Sequence, residues 1–453
     1  MAQRFVQSIL SASAIAIAAA TGAVADTTWT PASTEFPGSM RAGSREVPIR
    51  PGDETSISMQ QLPAGTTVTV LHGAEPVTEE PLTAGEDGQI TVEIKVPSDA
   101  EVGLHPLTVL TQNPASVSQV VLKLSDVVEP MNAEAYNLES AEVGERAYQS
   151  APSANGKLFV ASARGPNDGS RLLRLNAETL EVEAEAELAK DDAGEDIAVF
   201  GLAVDNSNNQ VWTTNTRSET VTVYDANDLS VVKVFPQGSV YHPRSVVIDE
   251  DRGRAYVSAA RTGFVEIYDT ANLEHIGHYQ FSPEKGSESF STVDLALDTE
   301  NGRLYSVSQT TPWVGWVDLE SDEVSTVKIP QAQGATGVAV DPETQRVFIS
   351  SQDTNNVVVL DKDGEVIADT YIGAGGVSAA WNPASGHAFA VSRAGGTVAV
   401  LDIDGNLIAN IPAGQTPNHV SVGAEGEVYL ISMYGNPETD SQTGSVTKIT
   451  TAE

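Results

Sequence analysis

Seven segments of this chain repeat one short strand, and a repeat of that kind leaves few folds open. KLFVAS, QVWTTN, RAYVSA, RLYSVS, RVFISS, HAFAVS and EVYLIS each set one aromatic residue in an apolar run. The aromatics are Phe159, Trp212, Tyr256, Tyr305, Phe348, Phe389 and Tyr429, spaced by 53, 44, 49, 43, 41 and 40 positions. A second strand precedes each, as in GLAVD, SVVID, DLALD and GVAVD, joined by a turn such as Asp341-Pro342-Glu343-Thr344-Gln345. Asp first, Pro second and, as in Asp298-Thr299-Glu300-Asn301-Gly302, Gly or Asn near the end suit a tight hairpin built on a type I turn followed by a left-handed residue. A third strand ends in an acidic turn (TVYDAND, VVLDKDG, AVLDIDG), and a fourth follows. Four antiparallel strands at this period describe a blade, and no helical periodicity interrupts them between Tyr136 and Thr450. The expectation is an all-β chain with a seven-bladed β-propeller over residues 135–453.

Aligning the first strand of each blade places Gln149, Gly201, Ser245, Asp294, Gly337, Ser378 and His419 at one position. Two residues on come Ala151, Ala203, Val247, Ala296, Ala339, Ala380 and Ser421. Between and beyond them lie large apolar residues such as Leu202, Val246, Leu295, Val338 and Trp381. Strand neighbours point to opposite faces, so each blade offers a small and a bulky face near the axis, and neighbouring blades interdigitate. The seventh unit stops before its fourth strand. An uncovered edge there would invite pairing with other chains, and the alternating segment 135–143 (AYNLESAEV) is expected to close the ring.

Upstream, the chain is of another kind. Arg4, an Ala/Ile-rich stretch and Ala23-Val24-Ala25 read as a secretory signal peptide over residues 1–25. Residues 26–46 read as a linker or edge extension. Residues 47–126 show short alternating strands with Pro/Gly turns, expected to form an immunoglobulin-like β-sandwich. VPSDAEVGLHPLTV resembles the closing half of such modules, although the chain has no cysteine and so no Cys…Trp…Cys hallmark. Residues 127–134 read as an inter-domain linker. The expected location is the periplasm, cell envelope or exterior, with no membrane insertion of the mature chain. Without disulfides the fold depends on its buried core.

With its repeats aligned, the chain resembles the YncE or YVTN-type family of exported seven-bladed propellers. The carriers are AYQSAPSANGKLFVASARG, FGLAVDNSNNQVWTTNTRSETVTVYDANDLSVV and TPNHVSVGAEGEVYLISMYG. The resemblance covers about two-thirds of the chain and implies a fold rather than an activity. Nucleic-acid binding has been proposed for relatives. Here 62 acidic residues face 25 basic ones, a net charge of −37, whereas phosphate backbones are bound through a basic footprint. Nucleic acid is therefore disfavoured as a partner.

In a propeller, loops between blades and loops leaving the second strand share one rim of the axial channel. Those loops carry Arg164, Arg217, Arg244, Arg261 and Arg393, whereas Arg252, Arg303 and Arg346 belong to the opposite, turn-facing end. Arginines gathered on one rim of an acidic protein point to recognition of an anion or carboxylate, unless each pairs with a local acid, as Arg217 would with Glu219. His242 and His419 are expected near the same rim, with Asp294, but on separate blades they give no metal-ligand spacing. His275 and His278 sit three apart on a strand and face opposite sides. Asp361-Lys-Asp-Gly and Asp402-Ile-Asp-Gly begin like calcium loops, yet the glycine comes two residues early and no closing Glu follows, so they read as hairpin turns. No cofactor or metal site is expected. The leading reading is a non-catalytic exported binding or scaffold protein that uses the arginine-bearing rim for an unknown protein or small anionic ligand. The alternative is a lactonase- or lyase-like enzyme with its site at the channel mouth.

Overall fold

A computed structural model describes residues 32–44, 47–78, 80–165, 169–283, 288–434 and 443–452, with the side chains of residues 164 and 165 left aside. The segment 1–25, read from sequence as a signal peptide, lies outside the described residues. Seven four-stranded antiparallel sheets succeed one another along the chain. The first comprises Ala147–Pro152, Lys157–Gly165, Gly169–Asn176 and Val182–Glu185. The next five begin at Gly201–Asp205, Pro243–Asp249, Thr292–Asp298, Ala335–Asp341 and Gly376–Asn382. First strands of successive blades pack side by side around an axis, and the first strand of blade 7, Pro417–Val422, packs against that of blade 1.

Blade 7 takes its fourth strand from upstream. Tyr136–Gly144 pairs antiparallel with Gly444–Thr451, from Thr451↔Tyr136 to Gly444↔Gly144. The strand 135–143 anticipated for ring closure thus does close it. The seven repeat aromatics are all at most 2% exposed. Each is worth about 2–3 kcal/mol relative to an exposed ring. They pack between blades: Tyr429 of blade 7 joins the blade 1 cluster of Leu158, Val160 and Leu173, and Phe159 joins Leu202 and Tyr224 of blade 2.

The turn chemistry is visible atom by atom. Asp205, Asp249, Asp298, Asp341 and Asn382 end the first strands, all at most 5% exposed. Each side chain accepts a backbone N–H of the turn that follows, from Asn208 (3.0 Å), Arg252 (3.1 Å), Asn301 (3.0 Å), Thr344 (3.1 Å) and Ala384 (3.0 Å). Asn209 and Gln345 take the left-handed backbone (φ 54° each) for which blades 3 and 4 use Gly253 and Gly302.

The N-terminal part forms two antiparallel sheets, one of Ser39–Ala42, Glu54–Gln60 and Ile90–Lys95, the other centred on Thr67–His72, Gly103–Gln112 and Ser116–Leu124. They enclose one core that includes Ile57, Met59, Val70, Val92, Val109 and Leu124. Within the stretch read as linker or edge extension, Ser39–Ala42 is an edge strand on Glu54–Gln60. Residues 125–132, by contrast, are bound to the propeller. Asn410, fully buried, donates from its side chain to Val128 O (2.8 Å) and exchanges backbone hydrogen bonds with Met131 (2.9 and 3.1 Å). Asn355 donates to Ser125 Oγ (2.9 Å), and Tyr371 Oη accepts from Asp126 N (2.7 Å). Lys123 reaches Gln352 O (2.7 Å) and Asn355 Oδ1 (2.9 Å), and burial lowers its pKa against the pull of Asp353. The N-terminal domain therefore rests on the rim above blades 4 to 6, where a cleft of about 560 Å³ includes Arg41, Gln309, Gln333, Asp353 and Arg393. Among the described residues, no helix is long and apolar enough to cross a membrane.

Candidate functional site: the channel mouth

A bulge breaks the register at the rim end of the first strand in blades 1, 3, 4, 5, 6 and 7. Bulges bend a strand and re-aim side chains. Here they turn Tyr148, Arg244, Val293, Thr336, Val377 and Asn418 toward the channel mouth. Blade 2 has Phe200 in the equivalent place, one residue before Gly201. Two residues before the bulge residue, the chain takes left-handed backbone in five blades: Arg146 (φ 53°), His242 (φ 47°), Gly334 (φ 66°), Gly375 (φ 82°) and Thr416 (φ 51°). Blades 5 and 6 use glycine there, at no steric cost. Blades 1, 3 and 7 hold a larger side chain at about 1–2 kcal/mol each. The mouth is thus uneven: aromatic and polar over blades 7 and 1 to 3, small or apolar over blades 4 to 6.

Below the mouth, the aligned ring position acts between blades. Gln149 Oε1 accepts Leu202 N (3.2 Å), Asp294 Oδ2 accepts Val338 N (3.1 Å), Ser378 Oγ accepts Val420 N (3.3 Å), and His419 Nδ1 accepts Ser150 N (3.4 Å). Gly201 and Gly337 leave room for the next blade: a Cβ would lie 2.1 Å from Arg244 O in one and 2.7 Å from Ser378 Cα in the other. Asp294 and His419 therefore do not stand at the rim as the repeat alignment suggested; the bulge adds a residue and sinks them into the channel. Both lean to the neutral form. Burial lowers the His419 pKa to about 4. Burial raises that of Asp294, outweighing hydrogen bonds from Ser245 and Val338 N–H and the charge of Arg244. The space they share is about 20 Å³, room for about one water molecule.

The five candidate arginines separate. Arg164 lies in the strand Lys157–Gly165, its side chain outside the described ones. Arg393 borders the inter-domain cleft and donates to Asn418 Oδ1. Arg217, Arg244 and Arg261 occupy the open half of the mouth and form no salt bridge among the described residues. Arg217 lies over the Phe200 ring (5.8 Å) and Arg244 over the Tyr148 ring (6.0 Å), while the two rings meet edge to face at 5.3 Å. Ring faces hold a guanidinium without neutralising it, so its N–H edges stay available to an oxyanion. Arg261 takes left-handed backbone (φ 67°), and its N–H is fixed by Ser291 Oγ (3.1 Å). His242 lies among them, its pKa lowered by burial and by Arg261 and Arg244, with Glu219 opposing. The Arg217–Glu219 pairing considered from sequence does not form.

At the turn-facing end the arginines are engaged rather than simply solvated. Arg252 binds Asp249 (3.1 Å), Arg254 binds Asp269 (3.1 Å), Arg346 binds Asp404, and Arg303 donates to Lys362 O (2.8 Å) of the next blade. His275 contacts Glu266 (2.7 Å) while His278 packs edge-on to Phe264. Asp361 and Asp402 accept N–H groups of their own turns, from Glu365 (2.9 Å) and Asn406 (2.8 Å). No group of three or more His, Asp or Glu among the described residues is placed to hold a metal ion. The sequence reading missed Arg146, Tyr148, Phe200 and Asn418. Aligning the residue before each ring position would have found the last three, and Arg146 falls in the column of His242.

No protein-family model matches the chain. It is 24% identical over 243 residues to YncE of Escherichia coli K12, a protein described as uncharacterised, covering 50% of this chain and 65% of that one. YncE of Escherichia coli O157:H7 is 23% identical over 259 residues, 52% of this chain and 69% of its own length. The chain thus spans about two-thirds of the curated relatives it matches. Among solved structures it is similar to streptogramin B lyase (TM-score 0.57, 13% identity, 71% of this chain and 100% of that one). Hydrazine synthase of Kuenenia stuttgartiensis is similar too (TM-score 0.56, 16% identity, 69% and 97%). So is a catalytically inactive histidine-to-alanine variant of virginiamycin B lyase from Staphylococcus aureus with quinupristin (TM-score 0.55, 14% identity, 70% and 100%). At such identities these structures share a fold only. Seven repeats, seven four-stranded sheets and the similarity to YncE are together consistent with a β-propeller of the YncE type.

Proposed function

We propose that this chain is an exported binding protein that recognises an anionic group at the open half of its propeller rim. The N-terminal domain, read as immunoglobulin-like, covers the other half and acts as a spacer or second contact. Export rests on the leader-like residues 1–25. One observation carries the recognition: in a chain of net charge −37, Arg217 and Arg244 are held on aromatic faces, and they and Arg261 have no salt-bridge partner among the described residues. Where acids are abundant, an arginine with no salt-bridge partner among the described residues is poised for an external one.

The lyase-like reading has the fold neighbours in its favour and the channel against it. His419 is already the acceptor of Ser150 N–H, and it shares with Asp294 a space for about one water. Turnover or stoichiometric metal in the purified protein, lost in His419→Ala, overturns the binding reading. Reversing Arg217 and Arg261 to Glu removes anion binding with an unchanged melting temperature if the rim is a recognition surface. Unfolding of both variants shows that the arginines serve the fold.

A further inference from the structure

We infer that the anion is carried by a protein: the rim of blades 2 and 3 fits an acidic segment with interspersed apolar side chains. The inference rests on the anion-binding reading and narrows its ligand class. The groups available there are spread over an open surface. Arg217 and Arg261 are exposed, and beside His242 the Tyr241 ring is 50% exposed. From Tyr241 the chain leads back through Pro236 to Val231–Val234, the outermost strand of blade 2, whose four residues are all exposed. Val231, Val232 and Val234 are 42%, 45% and 38% exposed on that edge, with Lys233 among them. An apolar outer edge is normally blunted by charge or covered. Blade 1 does so with Glu183 and Glu185, held by Lys157, Arg171 and Arg174.

Size decides between a small anion and a chain. Arg244 reaches the channel from the first, innermost strand of blade 3, and the valines lie on the fourth, outermost strand of blade 2. From innermost to outermost strand a four-stranded blade spans three strand spacings, roughly 14 Å. An extended peptide covers that span with about four to five residues at roughly 3.3 Å each. A single carboxylate or phosphate meets one or two of the arginines and neither Tyr241 nor the valines. Tyr and Arg in one exposed patch are also the residues that most often anchor protein partners. Polyphosphate fits less well: its closely spaced charges meet the whole field of an acidic protein, whereas a peptide with two or three carboxylates feels chiefly what lies within a Debye length of about 8 Å.

The test is selection from a random dodecapeptide library on the purified full chain, alongside titrations with citrate, inorganic phosphate and oligo(dT). Enriched peptides are expected to combine two or more Asp/Glu with apolar residues. Their binding is expected to fall about 100-fold in Arg217→Glu/Arg261→Glu and about tenfold in Tyr241→Ala. Enrichment without acidic residues, or citrate or phosphate binding as tightly as any peptide and indifferent to Tyr241→Ala, overturns the inference; the latter leaves the anion reading standing. Oligo(dT) binding through these arginines in place of peptide overturns it as well. If nothing binds to the rim and the double variant behaves as wild type throughout, the anion reading falls too.

Discussion

The two halves of the rim are built on one plan and finished differently. Over blades 4 to 6 the bulge residues are Val293, Thr336 and Val377, with Gly334 and Gly375 in the left-handed positions of blades 5 and 6, and beside them the N-terminal domain holds Gln352, Asn355 and Tyr371 of blade 5 through Lys123, Ser125 and Asp126. Over blades 7 and 1 to 3 the same places hold Asn418, Tyr148, Phe200 and Arg244, with Thr416, Arg146 and His242 accepting a strained backbone. Small residues let the covered half pack against a neighbouring domain. Larger aromatic and polar ones fill the open half and carry Arg217 and Arg244 on the Phe200 and Tyr148 rings. The repeat therefore sets where a side chain emerges, and the covering domain separates packing positions from those left for recognition.

Four perturbations break or sharpen that contrast, from the largest effect to the smallest. The first concerns the axial ring beneath both halves. His419 has a pKa of about 4 in the folded chain against 6.5 unfolded, so between those values the unfolded chain holds the extra proton. Stability then falls as pH drops from 6.5 to 4, by about 3 kcal/mol in all. His419→Gln, which keeps an acceptor for Ser150 N–H, should flatten that part of the pH–melting curve; an unaltered curve would mean the loss arises elsewhere.

Second, Arg217→Glu with Arg261→Glu should weaken rim binding about 100-fold with the melting temperature within a degree or two, since no salt bridge among the described residues is broken. Third, the covered half should respond in the opposite sense. Asn355 is 1% exposed and links Lys123, Ser125 and Gly375 N–H (2.8 Å). Asn355→Ala should lower unfolding free energy in urea by about 2 kcal/mol and leave rim affinity intact. Equal losses of binding in both variants would erase the distinction between the halves. The smallest effect is expected of Arg146, whose buried Nε has no hydrogen-bond partner. Arg146→Ala should reduce affinity about threefold, measured by calorimetry at low salt.

Much of this was legible along the chain because it depends on neighbours in sequence. The aromatics revealed the seven blades, Asp-led turns their hairpins, and the missing fourth strand of the last unit pointed to 135–143. The site was less legible. A one-residue bulge moved Asp294 and His419 inward and brought Tyr148 and Asn418 to the mouth, and bulges leave no trace in a period-two pattern.

By itself, then, the sequence determined the number of blades, the small and bulky faces that pack them and the way the ring closes, since alternation and turn chemistry act over a few residues. Tertiary structure alone decided which arginines are neutralised. Arg346 finds Asp404 across 58 positions, and Arg217 beside Glu219 does not pair with it. It also decided which half of the rim the N-terminal domain covers. Ion pairing and domain docking depend on distances set by the closed ring, and separation along the chain does not encode them.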